Sequence, residues 1–250
     1  MVKGANAMRP AVLLALAAVT LAAALAAGQP QVPGTLTYDQ LRIDAVLVPG
    51  GAEFALKGSL VNTLKEPAVP GYGYIRMRAV APDKLLGVIP LGPARPAPIR
   101  ISGVHILVDG KPVDYRVDYV NGTAVLKYSI WRPILPGERV RVEVSFTAEG
   151  VAAEGVLFRE YSLAIGFPHE RVREAVLSVS ARGGWLCYTS VPGGQASYRG
   201  LEHGSTIGVD AEVSKYIPLP LLPFPGSLLV WGLVIAAGIA VLAYRRFKRG

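Results

Sequence analysis

Three histidines, His105, His169 and His203, are the side chains of this sequence best suited to hold a metal ion or move a proton. They lie far apart, and none has the His-x-x-x-His or Cys-x-x-Cys companion that brings ligands together on one element. His105 falls within a strand pattern, which favours a structural role. A serine nucleophile would need a base beside it on a sharp turn, and no Gly-x-Ser-x-Gly elbow occurs. Gly183-Gly184 and Gly193-Gly194 precede no helix, so they read as turns rather than phosphate cradles. The sequence therefore offers no catalytic residue, no metal ligand set and no cofactor site.

Other residues point to display and binding. Cys187 is the single cysteine and lies between Leu186 and Tyr188, so it reads as a buried thiol, with an intermolecular bridge as the alternative. Asn121-Gly122-Thr123 fits the N-glycosylation acceptor pattern, and Asn121-Gly122 is also a preferred hairpin turn. Tyr72, Tyr74, Arg76 and Arg78 alternate along one stretch. Tyrosine and arginine often anchor interfaces, so this is the candidate binding surface, set against an ordinary solvated strand face.

The elements that must position these residues repeat with period two. Leu41, Ile43, Ala45 and Leu47 form one apolar row and Phe54, Leu56, Gly58 and Leu60 a second, separated by Pro49-Gly50-Gly51. Ile75, Met77 and Ala79 face away from the Tyr/Arg row. Pro90, Pro93, Pro96 and Pro98 exclude a central strand and mark a linker or crossover. Further strands are predicted over 99–108, 113–119, 126–130, 140–146, 156–165, 175–181, 185–190 and 206–213, with a single helical turn over 169–174. The pattern predicts an all-β protein, an extracytoplasmic antiparallel β-sandwich. Residues 28–92 form an N-terminal β segment, 93–98 the linker and 99–216 a sandwich domain whose seven or so strands could fold as an immunoglobulin-like unit. The segment before the prolines either completes the same sandwich or forms a companion sheet.

The two ends carry the topology. Residues 1–27 combine Lys3 and Arg9 with an Ala-rich apolar run and an Ala24-Leu25-Ala26 exit, the form of a cleaved secretory signal peptide. Prolines alternate with leucines over 217–226, which predicts a stiff stalk resting in the membrane interface. Residues 227–244 are apolar enough to cross a bilayer as a helix, and Arg245, Arg246, Lys248 and Arg249 act as a stop-transfer signal for a basic cytoplasmic tail, 245–250. The net charge of +8 resides largely in these ends; between them 20 cations face 18 acids, so no nucleic-acid partner is implied.

The expectation is a single-pass protein of the cell membrane, with the bulk of the chain outside and the C-terminus in the cytoplasm. It would be non-enzymatic and display a sandwich for binding or assembly, as an accessory subunit of a membrane or envelope complex. Its partners would be membrane lipid through the C-terminal helix and a protein of the envelope. A membrane-anchored hydrolase or carbohydrate-active domain is one alternative. A surface-layer or filament subunit is the other, using strand addition with a free segment such as residues 29–38.

Overall fold

In the computed structural model, residues 36–248 are described apart from 82–83, 86–88 and 91–94. The leader over 1–27, residue Arg249 and part of the Pro-rich linker lie outside the described residues. Besides a short 3-10 turn (Pro192–Gly194), seventeen strands and one α-helix are described. They are β1 (Leu36–Val48), β2 (Gly51–Asn62), β3 (Gly71–Ala81), β4 (Lys84–Leu85), β5 (Ile89–Pro90), β6 (Arg95–Pro96), β7 (Arg100–Val108), β8 (Lys111–Pro112) and β9 (Tyr115–Val120). There follow β10 (Thr123–Ile130), β11 (Arg139–Glu149), β12 (Ala152–Glu154), β13 (Phe158–Gly166), β14 (Arg171–Ala181), β15 (Trp185–Thr189), β16 (Gln195–Leu201), β17 (Thr206–Ser214) and α1 (Gly226–Phe247).

β4 and β5 pair only with each other, and the other strands form two sheets that share one core. The first has the order β16-β14-β1-β2-β11-β7-β8 and the second β15-β17-β13-β3-β10-β9, with β12 on β13 and β6 on β3. The alternation read in the sequence is what packs them. Ile43, Leu56, Val144 and Leu177 point inward from the first sheet, and Met77, Leu126, Leu163 and Val209 from the second, into one apolar cluster. β1 and β2 come from before the prolines yet pair with β14 and β11 from after them, while β3 pairs with β10 and β13. The strands of 99–216 thus complete both sheets only together with the earlier segment. Arg95 and Pro96 also extend the ladder of β3, opposite Ala81 and Val80, where β10 no longer reaches.

The structure departs from the sequence expectations at four points. β1 and β14 run parallel within a sheet that is otherwise antiparallel, as their long connection through the second sheet permits. Residues 169–174 form no helical turn: a bend at 168–169 leads into β14. Val172 and Ala175 share the buried face although they are three apart, as do their partners Tyr38 and Leu41 on β1, where the register of β1 against β2 shifts between Tyr38 and Gln40; that spacing imitates a helix. β16 was not foreseen, since its edge position leaves it largely polar and solvated. The free segment of the strand-addition alternative is also already engaged at its end, as Leu36, Thr37 and Tyr38 pair with Asn62, Val61 and Leu60.

One buried polar pair ties the sheets together. The Tyr38 and Tyr128 hydroxyls meet at 2.6 Å across the core. A Cβ on Gly58 would meet the Tyr38 ring at 2.7 Å, and one on Gly73 would meet the Tyr128 ring at 2.2 Å, so each ring occupies a glycine notch. Helix α1 has only Gly226 and Ser227 buried against the protein; its Leu233, Val234, Ile235, Ile239 and Leu242 are bare. At 22 residues it is about 33 Å long, enough to cross a bilayer core.

Candidate functional site

Tyr72, Tyr74, Arg76 and Arg78 all project from the outer face of the second sheet, alternating with buried Gly73, Ile75, Met77 and Ala79. The register of β10 against β3 sets Lys127 opposite Tyr74 and Ser129 opposite Tyr72. The Lys127 ammonium stands 3.8 Å above the Tyr72 ring centre and 5.7 Å from that of Tyr74. Trp131, just past the end of β10, packs edge-on against Tyr72 at 5.1 Å and is 66% exposed. On the other side His169 packs edge-on against Tyr74 at 4.5 Å. Burial, and then the nearby Arg76 guanidinium, hold the His169 imidazole below its ordinary pKa. The structure thus draws Tyr72, Tyr74 and Arg76 together with three residues the sequence did not single out for this surface: Lys127, Trp131 and His169. Arg78 lies farther along the strand, opposite Thr123.

Trp131 also borders a cleft of about 550 Å³ between the β7–β8 turn and the end of β10, lined by Asp109, Lys111, Asp114, Ser129, Trp131 and Arg132. Arg132 braces its rim, bonding Asp109 at 2.6 Å and Glu138 at 2.8 Å. Asp109 further accepts the Arg141 N–H, so the turn is fixed. The cleft therefore joins a rigid charged wall to an open indole face.

Behind the Tyr/Lys cluster lies Glu170, almost fully buried. One carboxylate oxygen accepts the Tyr74 N–H at 3.4 Å, and the other has no hydrogen-bond partner among the described residues. Burial pushes this carboxyl up to about 7, and its charge in turn raises Tyr38 and Tyr128, already held high by their own burial. His105 is exposed on β7 and His203 sits in the β16–β17 turn, so the three histidines do not converge. Among the described residues no group of three or more His, Cys, Asp or Glu side chains is placed to share a metal ion. Asn121 occupies the exposed tip of the β9–β10 hairpin with φ of 49°, followed by Gly122 at 73°, the backbone a tight primed turn requires. Cys187 is buried and its thiol donates to the Glu212 carbonyl.

The opposite end of the second sheet receives the helix. The Ser227 N–H donates to both Glu212 carboxylate oxygens, at 3.2 and 3.1 Å. Helix α1 begins after Pro225 with no side-chain cap of its own, so a carboxylate from β17 serves as its N-terminal cap. Burial pushes the Glu212 carboxyl above its usual range despite these donors. The Pro-rich stalk docks as well: Leu222 bridges to Tyr188 in parallel and its N–H donates to the Cys187 carbonyl at 2.7 Å.

No family model matches the chain. It is 25% identical over 137 residues to an uncharacterized protein of Methanocaldococcus jannaschii, across 55% of this chain and 98% of that protein. Among solved structures it is similar to an M1 zinc metallopeptidase from Deinococcus radiodurans, with 10% identity and a TM-score of 0.36 over 72% of this chain and 42% of that one. The yeast leukotriene A4 hydrolase in complex with bestatin gives 5% identity and a TM-score of 0.36, over 77% and 32%. The chain spans less than half the length of these two solved structures.

Proposed function

We propose that this protein is a membrane-anchored β-sandwich that binds a protein partner of the envelope through the aromatic and basic face around Tyr72 and Trp131. In this reading residues 1–27 direct export, α1 crosses the cell membrane once, and Arg245, Arg246, Lys248 and Arg249 hold the tail in the cytoplasm. Asn121, at an exposed hairpin tip, is open to glycosylation.

The observation that carries the reading is the exposed Trp131 beside the Tyr72–Lys127 stack. Aromatic anchors fixed in place before binding lose little freedom when a partner covers them, and tryptophan and tyrosine are enriched among the residues that dominate binding energy. The location also suits a partner. Phe158, at the start of β13, lies under the first residue of α1, whereas Arg76 pairs with Gly166 at the far end of the same strand. Eight strand steps separate those ends, about 26 Å, so the cluster faces away from the helix.

The test is to solubilise the protein from its own membranes in mild detergent, measure its native size and identify by mass spectrometry what co-migrates. A stoichiometric companion is expected with the wild type, and Trp131→Ala and Tyr72→Ala should each weaken it by about tenfold or more. A lone monomer, or a companion that both variants retain in full, would sink the assignment.

A further inference from the structure

Around the first turn of α1 the sandwich surface changes character. Val156, in the β12–β13 turn, is 85% exposed; Trp185, at the start of β15, is 46% exposed; Tyr216, where the chain leaves β17, is 70% exposed. Ile217, Leu221 and Phe224 of the stalk are also more than one-third exposed. These residues come from three separate parts of the chain, yet hydrogen bonds hold their backbones together. Trp185 and Phe158 both pair with Ser214, the Lys215 N–H donates to the Leu157 carbonyl, and the Ile217 N–H donates to Ser214 Oγ. An ion-paired triad braces the same end: Arg159 and Lys215, both largely buried, share the Glu154 carboxylate at 3.0 and 2.6 Å. Lys215 also donates to the Gly155 carbonyl and Arg159 to that of Gly183, which fixes both turns.

Large apolar side chains do not normally gather on a watery surface without a partner. Here the nearest partner is defined by the chain itself. The Glu212–Ser227 contact and the Leu222 bridge fix α1 against this end of the sandwich, so wherever α1 enters a bilayer, Val156, Trp185 and Tyr216 arrive with it. Tryptophan and tyrosine at a membrane surface settle at headgroup depth, with the ring in the acyl boundary and the polar atom in water.

We propose that the helix-proximal end of the sandwich, built from the β12–β13 turn, Trp185 and Tyr216–Phe224, is a second lipid contact that seats the domain in the bilayer interface. This rests on α1 being a membrane span, and goes beyond it: the sandwich stands on the membrane in one fixed pose instead of swinging on a tether.

The three tryptophans allow a direct test with the full chain reconstituted in phosphatidylcholine vesicles. Chains retaining only Trp185 (W131F with W231F), only Trp231 (W131F with W185F) or only Trp131 (W185F with W231F) are each compared in lipids brominated close to the glycerol backbone or at mid-chain. Far-UV circular dichroism confirms that each retains its sheet. The expected result is strong quenching of Trp231, quenching of Trp185 mainly by the shallow bromines, and none for Trp131. Quenching of Trp231 without Trp185 would leave the anchor in place and overturn the seating. The seating would equally fall if Trp185 were shielded from aqueous iodide yet untouched by brominated lipid, since protein would then cover that end. With neither Trp231 nor Trp185 quenched, the span itself would be refuted and the seating with it.

Discussion

Glu170 is a carboxyl group placed where its charge is poorly tolerated, with one oxygen bonded to a backbone N–H and the other without a partner among the described residues. Its pKa is raised from 4.5 to about 7 by burial. Between those values the unfolded chain has released the proton while the folded chain keeps it, so raising the pH through this window favours unfolding. The full shift corresponds to about 3 kcal/mol, present below the window and lost above it. Glu170→Gln keeps the shape and cannot ionise, so thermal unfolding of the wild type should fall relative to that variant as the pH passes from 4.5 to about 7. A constant gap between the two across that range would show that Glu170 does not ionise as described. Little of this was legible beforehand. The Tyr/Arg alternation on β3 could be read from period two alone, but Glu170, Lys127 and Trp131 reach that strand through bends and strand pairings that no local pattern encodes. Gly58 was legible as part of an inward row, but its partner, the Tyr38 ring, was not.

The junction between β17 and α1 shows a similar limit. The helix announced itself by seventeen or so uninterrupted apolar positions, and the structure extends it through Phe247. The prolines before it suggested a free spacer, yet Leu222 is bonded to β15 and the helix start is capped by Glu212. That capping residue lies fifteen positions upstream on a strand, outside the range of any local capping motif. Both Glu212 oxygens accept the Ser227 N–H, a role that the carbonyl oxygen of a glutamine can also fill. Glu212→Gln should therefore keep the helix docked. Glu212→Ala should free it at a cost of about 1 to 2 kcal/mol, comparable to losing an N-terminal cap. Hydrogen exchange of the detergent-solubilised protein gives the readout. Amides over 219–228 should exchange faster in the alanine variant and at the wild-type rate in the glutamine variant; equal protection in all three would rule out the cap.

The arrangement of the two sheets decides how the chain must fold. Period-two patterning was enough to foresee an all-β molecule, and nearly every long strand was found within a few residues of its observed bounds. The order of those strands was not accessible, because pairing partners are chosen by the shape of the joint core and not by neighbours in sequence. β1 and β2 occupy the middle of the first sheet, flanked by β14 and β11, and β3 joins β13 to β10 in the second. Removing residues before the prolines would therefore withdraw two central strands from one sheet and one from the other. It would strip their partners of ladder bonds and of the core faces carrying Ile43, Leu56 and Met77. A chain shortened to residues 99–216 should show no cooperative unfolding transition and poorly dispersed amide resonances. A chain of residues 34–216 retains all seventeen strands and should unfold in one step, with tryptophan fluorescence and circular dichroism giving the same midpoint. Two separated transitions in the longer chain, or a cooperative one in the shorter, would mean that the prolines divide independent domains after all.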